Sequence, residues 1–342
     1  MIKKSLAVKY RPKEFEDVCE QKAVIETFKY LIDHNDFPNS ALLCGSAGTG
    51  KTTCARIIAN KINKGRGRPI EIDAASNNGV DNVRSIIEQS KLRSLDSEYK
   101  VFIIDECHAL TIQSWQAFLK QLEEPNNRTL YLFCTTDPQK IPATILSRVQ
   151  RFDFCRITYD TIVKRLKYIM DSEIADGEPY EYDMDAIKYI AKIADGGMRD
   201  AITTMDKCLG LNGKLTIQNV IESIGVQNYD SLFTFIKGLL QKDIRSTLEF
   251  VNQIYLNGQD IRQFVAQVLQ FTVDLCKYRL LKSFDYIKIP QTFEPQLRFI
   301  TDSEYVAIKK IMIQMIEVKS NIKWETEPKL YLEAELFKMC EG

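Results

Sequence analysis

Short apolar stretches alternate with helical patterns along the first 154 residues of this chain. The apolar stretches have the length of buried strands, and they are Ser40–Cys44, Ile70–Ala74, Val101–Ile104 and Leu130–Cys134. Runs that are apolar on both faces are typical of a parallel sheet covered by helices. Between them, apolar residues recur at helical spacing, as at Trp115, Phe118, Leu119 and Leu122. The alternation predicts an α/β domain with a parallel sheet over residues 1–156.

Strand patterns stop after Cys155, and the rest of the chain shows helical spacing only. Glycine, proline and asparagine break these patterns at residues 177–179, 196–197 and 212–213, then at Gly258 and at residues 290–295. Such residues are typical of turns between helices. We therefore expect two all-helical domains after the α/β domain, a small one over residues 157–219 and another over residues 220–342.

A glycine-rich loop follows the first predicted strand and leads into a predicted helix. It has the form G-x-x-x-x-G-K-[ST], in which backbone N–H groups converge on phosphate oxygens, Lys51 reaches the β/γ-phosphates and Thr52 binds Mg²⁺. A chance glycine-rich turn is the weaker interpretation, because both flanks fit. The predicted nucleotide-binding residues of the loop are Gly45, Ser46, Ala47, Gly48, Thr49, Gly50, Lys51, Thr52 and Thr53.

Two acids end the third predicted strand. Ligands of open α/β sheets bind at the carboxyl ends of strands, so Asp105 is placed to hold Mg²⁺ and Glu106 to polarise an attacking water. Without the phosphate loop, two solvated acids would be the better interpretation. Thr136 ends the next strand with a hydroxyl, a weak signal on its own. His108 is assigned no role.

Two arginines follow these predicted strands. Arg148 comes after a short helix and Arg199 begins a later one. An isolated surface arginine more often forms an ion pair of about 0–1 kcal/mol. Downstream of a complete nucleotide site, a guanidinium is also suited to neutralise charge on the γ-phosphate.

Charge and cysteine content limit the function classes. Lys+Arg 46 balances Asp+Glu 46, so a nucleic-acid contact requires a local basic patch. Nine cysteines without a C-x-x-C pair predict reduced, buried thiols and no zinc site. With no signal-like N-terminus and no long apolar run, we expect an intracellular protein without a membrane segment.

Several ordered motifs together resemble one family. In chain order they are Tyr10-Arg11-Pro12, the phosphate loop, Glu71-Ile72-Asp73-Ala74-Ala75-Ser76, Asp105-Glu106-Cys107-His108-Ala109-Leu110, Leu122-Glu123-Glu124-Pro125, Thr135-Thr136-Asp137-Pro138-Gln139-Lys140-Ile141-Pro142, Ser147-Arg148 and Met198-Arg199-Asp200-Ala201. The set resembles the AAA+ ATPases of sliding-clamp loaders, of the gamma/tau (DnaX-type) kind found in bacterial DNA polymerase III. The resemblance covers nearly the whole chain and implies an AAA+ P-loop NTPase domain, a helical lid and an all-α collar domain for oligomerisation.

The resemblance implies further roles, each at a matching position. Ala7 and Arg11 match the N-terminal segment that lies against ATP, Thr136 matches sensor 1 and Arg199 matches sensor 2. Arg148 matches the arginine finger that enters the ATP site of a neighbouring subunit. Arg84 and Lys120 match positions that touch the DNA backbone. Implied partners are other loader subunits in a pentamer, the sliding clamp and primer–template DNA, in the cytoplasm at the replication fork.

Three departures from the family pattern are visible. Val149 replaces the cysteine that usually follows the finger arginine, residues 61–69 are too short for the family's zinc module, and no tau-type tail follows residue 342. They suggest a compact form, phage-encoded or from a divergent bacterium; if phage-encoded, it would act in the host cytoplasm. Two alternatives stay open: an AAA+ branch-migration helicase, and a non-hydrolysing scaffold subunit of a clamp loader.

Overall fold

The sheet of the N-terminal half is parallel throughout. A computed structural model describes residues 4–125, 128–224, 229–298 and 300–341, and within these ranges five strands form the sheet in the order β2-β3-β4-β1-β5. The strands are β1 (Ser40–Cys44), β2 (Ile70–Asp73), β3 (Lys100–Asp105), β4 (Thr129–Thr135) and β5 (Gln150–Asp153). Parallel pairing brings all their carboxyl ends to one edge, where the phosphate loop follows β1 and Asp105 ends β3.

Helices cover both faces of the sheet. In the first part of the chain they are α1 (Leu6–Lys9), α2 (Lys22–Asp33), α3 (Lys51–Ile62), α4 (Val80–Lys91), α5 (Ile112–Glu123) and α6 (Ala143–Leu146). Alternate strand residues face opposite ways: Leu43 packs in a core with residues of α2 and α3, and Leu42 packs in a second core with residues of α4 and α5. The predicted α/β domain with a parallel sheet is confirmed. Strands β1, β3 and β4 are buried on both faces, whereas the edge strand β2 alternates half-buried and exposed residues.

Helices dominate the rest of the chain. They are α7 (Tyr159–Ala175), α8 (Met184–Ile193), α9 (Met198–Asn212), α10 (Ile217–Ile224), α11 (Tyr229–Leu240), α12 (Ile244–Leu256), α13 (Ile261–Leu281), α14 (Glu294–Arg298), α15 (Asp302–Ile322) and α16 (Pro328–Glu341). The breaks expected at residues 177–179, 196–197, 212–213 and Gly258 lie at or between helix ends, whereas the stretch 290–295 contains the start of α14 at Glu294. In α15, Thr301 and Glu304 form a reciprocal capping box at the N-terminus.

Three strands differ from the sequence prediction. β5 was not identified, because Phe152 is the only buried residue of this edge strand. The expectation that strands end before Cys155 was wrong: β6 (Glu181–Tyr182) and β7 (Lys214–Leu215) form a two-stranded parallel sheet. Strands of two residues are too short to show a period, so pairing between distant segments decides them.

Contacts group the chain into two compact units. The first contains residues 1–178 and 194–206, and the second contains residues 179–193 and 207–342. By this grouping α8 belongs with the C-terminal helices, whereas α9 belongs to the first unit up to Asp206. The three-domain division at residues 156/157 and 219/220 stays a prediction.

The described residues were compared with what membrane segments, metal clusters and disulfides require. In the described part of the chain, no helix combines the length and apolarity needed to cross a membrane. The same residues contain no cluster of three or more His, Cys, Asp or Glu side chains suited to a metal ion. All nine cysteines are free thiols. Most are buried as expected, but Cys155 is exposed.

Candidate nucleotide site

The phosphate loop joins β1 to α3 and depends on its glycines. A Cβ at Gly45 would lie 2.6 Å from the carbonyl oxygen of Phe154. Gly48 has φ +72°, and a Cβ there would meet Gly197 Cα at 3.0 Å. Larger residues are therefore excluded at both positions, by close backbone approach and by a conformation that only glycine adopts easily.

Lys51 is the first residue of α3, and its side chain is buried in the loop. Its Nζ donates hydrogen bonds to the carbonyl oxygens of Gly45 at 2.8 Å and Ser46 at 2.9 Å. Burial lowers the pKa of the Lys51 ammonium below its ordinary value. Both hydrogen-bond acceptors of this buried cation are neutral carbonyl groups, and an anion entering the loop would provide a countercharge in direct contact.

Thr52, the residue after Lys51, contacts Asp105. Thr52 Oγ1 donates to Asp105 Oδ2 at 2.8 Å, joining the start of α3 to the end of β3. Asp105 Oδ1 accepts the backbone N–H of Glu106 at 3.0 Å. The sequence separation of Thr52 and Asp105 is 53 residues, and the contact between α3 and β3 brings them together.

Glu106 leaves the strand through a left-handed backbone conformation, with φ +46°. Its Oε2 accepts a hydrogen bond from Thr136 Oγ1 at 2.9 Å, and His108 Nδ1 lies 3.2 Å from the same oxygen. The structure therefore brings together the two predicted residues Glu106 and Thr136, which come from neighbouring strand ends. It adds His108, to which the sequence assigned no role.

The N-terminal segment is anchored beside this site by α7. The buried Glu173 accepts Lys9 Nζ at 2.6 Å and the Tyr10 hydroxyl at 2.7 Å. Burial and the hydrogen bond to Glu173 raise the pKa of Tyr10 to about 12. Arg165 Nη2 donates to the Tyr10 carbonyl oxygen at 3.0 Å. These contacts hold the Tyr10–Pro12 segment in place.

A cavity of about 370 Å³ lies between these elements. That volume is within the usual range of small-ligand sites. Of the predicted site residues, those that line it are Ala7, Arg11, Ala47, Gly48, Thr49, Gly50, Lys51, Thr52, Thr53, Asp105, Glu106 and Arg199. Gly45 and Ser46 do not line the cavity; their carbonyl groups hold Lys51.

Sequence reasoning missed several residues that line the cavity. They include Val18, Cys19, Arg56, Ile157, Arg165 and Ile202. Arg56 also pairs with Glu71, with Nε 2.7 Å from Oε1. No local motif marks these positions, because each is an ordinary residue of a helix or loop. They line the cavity because distant segments of the chain pack together, as where Arg165 of α7 contacts the Tyr10 carbonyl oxygen.

Arg148, Arg84 and Lys120 lie away from the cavity. Arg148 follows α6 and pairs with Glu123, whose Oε1 lies 2.7 Å from Arg148 Nη2. Arg84 is exposed on α4 and pairs with Asp81, and Lys120 is exposed on α5. The helices α4 and α5 pack against each other. The roles of these three residues stay predictions.

The chain is similar in sequence to subunits of DNA polymerase III. Residues 68–158 match the family model described as DNA polymerase III, delta subunit. The chain is 32% identical to DNA polymerase III subunit tau of Bacillus subtilis (strain 168), with 97% of this chain and 62% of that protein covered. It is also 32% identical to DNA polymerase III subunit gamma of Buchnera aphidicola subsp. Acyrthosiphon pisum, with 78% of each chain covered.

Solved structures extend the comparison to the fold. RuvB of Thermotoga maritima, a Holliday junction branch migration motor, matches with a TM-score of 0.50 and 19% identity, covering 68% of this chain and 79% of RuvB. At this identity the likeness shows the fold alone. The chain spans less than two thirds of the Bacillus protein, at 62%.

Proposed function

Because this chain belongs to the gamma/tau family of DNA polymerase III subunits, we propose that it is an ATP-driven motor subunit of a sliding-clamp loader. Its fold class is the predicted one, an AAA+ P-loop NTPase domain followed by helical regions. The activity, ligands and partners of the motor are all part of the proposal. We propose that this subunit acts in the cytoplasm, at the replication fork.

One observation carries the proposal. The residues suited to bind ATP and activate water lie in the cavity, whereas the arginine suited to complete the site lies outside it. Lys51, Asp105 and Glu106 line the cavity, whereas Arg148 does not. An arginine outside its own site is suited to the site of a neighbour. Hydrolysis would then require an oligomer, as in enzymes where a second subunit supplies an arginine in trans.

ATP fits the cavity through its phosphates. Backbone N–H groups at the start of α3 favour anions, and Lys51 would exchange the Gly45 and Ser46 carbonyls for β/γ-phosphate oxygens. Arg199, at the start of α9, would add a second cation. Ala7 and Arg11 would contact the nucleotide from the N-terminal segment.

Thr52 and Asp105 fit a magnesium ion. Their oxygens lie 2.8 Å apart beside the loop, and Mg²⁺ commonly uses one or two protein oxygens together with waters and phosphates. Bound there, Mg²⁺ would neutralise charge on the β- and γ-phosphates. Glu106 would polarise the attacking water, with Thr136 as its neighbour. The arginine finger of the next subunit, Arg148, would approach the γ-phosphate from outside.

A site shared between subunits would couple ATP binding and hydrolysis to the loading of the clamp. ATP binding would join the subunits into a spiral, proposed as a pentamer, that opens the sliding clamp and grips primer–template DNA. Arg84 and Lys120 would contact the DNA phosphates. Hydrolysis would remove the γ-phosphate that bridges the subunits, and the loader would release clamp and DNA.

A mixing experiment tests the shared site directly. ATP turnover is measured for the wild type, Lys51→Ala, Arg148→Ala and an equal mixture of the two variants, with and without primed DNA and the cognate clamp. Each variant alone should be inactive, and the mixture should regain turnover because Lys51→Ala subunits still offer Arg148. Arg151→Ala is the matched control, since Arg151 also pairs with an acid, Asp153, on the surface.

The outcomes separate the alternatives. Turnover stimulated by clamp and DNA, and restored by mixing, supports the loader. Branch migration without any clamp would contradict it in favour of a helicase. ATP binding without turnover under every condition would indicate a scaffold subunit. Full activity of Arg148→Ala alone would contradict the proposal that Arg148 completes the ATP site of a neighbouring subunit.

A further inference from the structure

His108 lies in a short 3-10 turn directly after Glu106, in the turn that leads from β3 towards α5. Its side chain is 20% exposed and lies beside Glu106, which lines the cavity. Nδ1 of His108 lies 3.2 Å from Glu106 Oε2 and 3.2 Å from Thr135 Oγ1. The imidazole therefore connects the Glu106 carboxylate to the end of β4.

Nδ1 of His108 faces two oxygens. With the proton on Nδ1, the ring nitrogen is suited to the Glu106 carboxylate oxygen, because a bare nitrogen there would bring two lone pairs together; the same nitrogen is also within hydrogen-bond distance of Thr135 Oγ1. Thr135 Oγ1 already accepts the backbone N–H of Asp137 at 3.0 Å. Thr135 thus forms the rigid, fully buried support against which the His108 ring rests.

Two side chains approach the same oxygen of Glu106. Thr136 Oγ1 donates to Oε2 at 2.9 Å, and His108 Nδ1 lies close to that same atom. Neither of these two contacts, which join described residues, uses Oε1. Oε2 is therefore the oxygen that both side chains contact.

We propose that His108 is a positioning residue that, together with Thr136, holds Glu106 Oε2 so that Oε1 faces the attacking water. The inference rests on the proposed ATPase function. A glutamate side chain has three rotatable torsions, and one hydrogen bond from Thr136 leaves it free to turn about that contact. A second donor from a different direction removes this freedom. Productive geometry is sensitive to such freedom, because a displacement of about 1 Å can cost about a hundredfold in rate.

The first test compares His108→Ala with His108→Asn. Losing a supporting hydrogen bond of this kind should lower kcat about 10- to 100-fold. ATP affinity should change less than about twofold, because His108 contacts no predicted phosphate ligand. The asparagine of the second variant would place an amide N–H where Nδ1 lies, so that variant should recover most of kcat. His34→Ala, which removes the exposed second histidine, is the control.

A purely structural role predicts a different pattern. Then His108→Asn would not recover kcat, or the loss would follow unfolding or ATP affinity. Either result overturns the inference, as does a kcat for His108→Ala within about twofold of wild type. Glu106→Gln separates the proposed ATPase function from the positioning role of His108. If Glu106→Gln is inactive while His108→Ala has normal turnover, only the positioning role fails.

A crystal structure of His108→Ala provides a readout that needs no turnover. We expect the Glu106 side chain to leave its contact with Thr136 or to occupy several rotamers. A single, unchanged Glu106 conformer would overturn the inference even if no variant hydrolyses ATP. If the wild type does not turn over but Glu106 moves in His108→Ala, the proposed function fails and the positioning role stands.

Discussion

Arg148 Nη2 lies 2.7 Å from Oε1 of Glu123, the last residue of α5. The guanidinium makes three further hydrogen bonds: Nε donates to the same oxygen at 2.9 Å, and Nη1 donates to the Thr144 carbonyl oxygen at 2.7 Å and to Ser147 Oγ at 3.1 Å. A long side chain with this many contacts has one preferred direction. Glu123 therefore orients the arginine that we propose as the finger.

Glu123→Ala should slow ATP turnover by about fivefold, which corresponds to about 1 kcal/mol of transition-state stabilisation. The physical reason is that a free Arg148 must be ordered again each time it meets the neighbouring site. Stability should fall by less than about 1 kcal/mol, because both partners are partly exposed. Steady-state turnover and thermal unfolding measure the two effects. Glu124→Ala is the neighbouring control, and equal losses in both variants would contradict the orienting role.

Lys51→Met should abolish stabilisation by ATP while leaving the free protein nearly unchanged. Wild-type protein at about a hundredfold excess of ATP over its Kd should gain about 2.7 kcal/mol. Without ATP, losing two hydrogen bonds is offset by removing a buried charge, so the free energy of unfolding should change by less than about 1 kcal/mol. Denaturant unfolding with and without ATP measures both values.

The matched control for this measurement is Lys64→Met, which removes an exposed lysine after α3. It should keep the full ATP effect. A Lys51→Met protein still stabilised by ATP to the wild-type extent would show that the nucleotide does not use the loop.

Arg84→Ala and Lys120→Ala should together weaken DNA binding without altering ATP affinity. If each residue contacts one phosphate, the slope of log affinity against log salt should fall in magnitude by about 0.9 per residue. The loss should be similar for all DNA sequences, because phosphate contacts carry no base information. Fluorescence anisotropy over a salt series, in the presence of ATP, measures the slope.

Lys188→Ala is a suitable control for the DNA experiment. Lys188 pairs with Asp185 one helical turn away, much as Arg84 pairs with Asp81, but it lies on α8. Its loss should leave the salt slope unchanged. A slope that the double variant also leaves unchanged would remove Arg84 and Lys120 from the DNA surface.

Local patterns were sufficient for much of the fold and of the site. The phosphate loop, its flanking strand and helix, and Asp105 at the end of β3 all follow from spacing within one or two adjacent elements. Some helix boundaries after Cys155, such as those at residues 177–179, 196–197 and Gly258, follow from glycine and proline in the same way, whereas the boundary between α11 and α12 at residues 241–243 contains neither. β5, β6 and β7 were not predicted, because one buried residue or two paired residues leave no period to detect.

The sequence by itself determined that a phosphate-binding loop, a strand-end acid pair and a parallel sheet occur together, because each is encoded over a few consecutive residues. Only the tertiary structure decided which distant side chains share the site. Arg165 reaches the Tyr10 carbonyl across 155 positions, and Glu123 meets Arg148 across 25. His108 joins the site because β4 runs beside β3 and brings Thr135 and Thr136 to the Glu106 turn. Such contacts depend on how elements pack, and no short pattern in the chain records that packing.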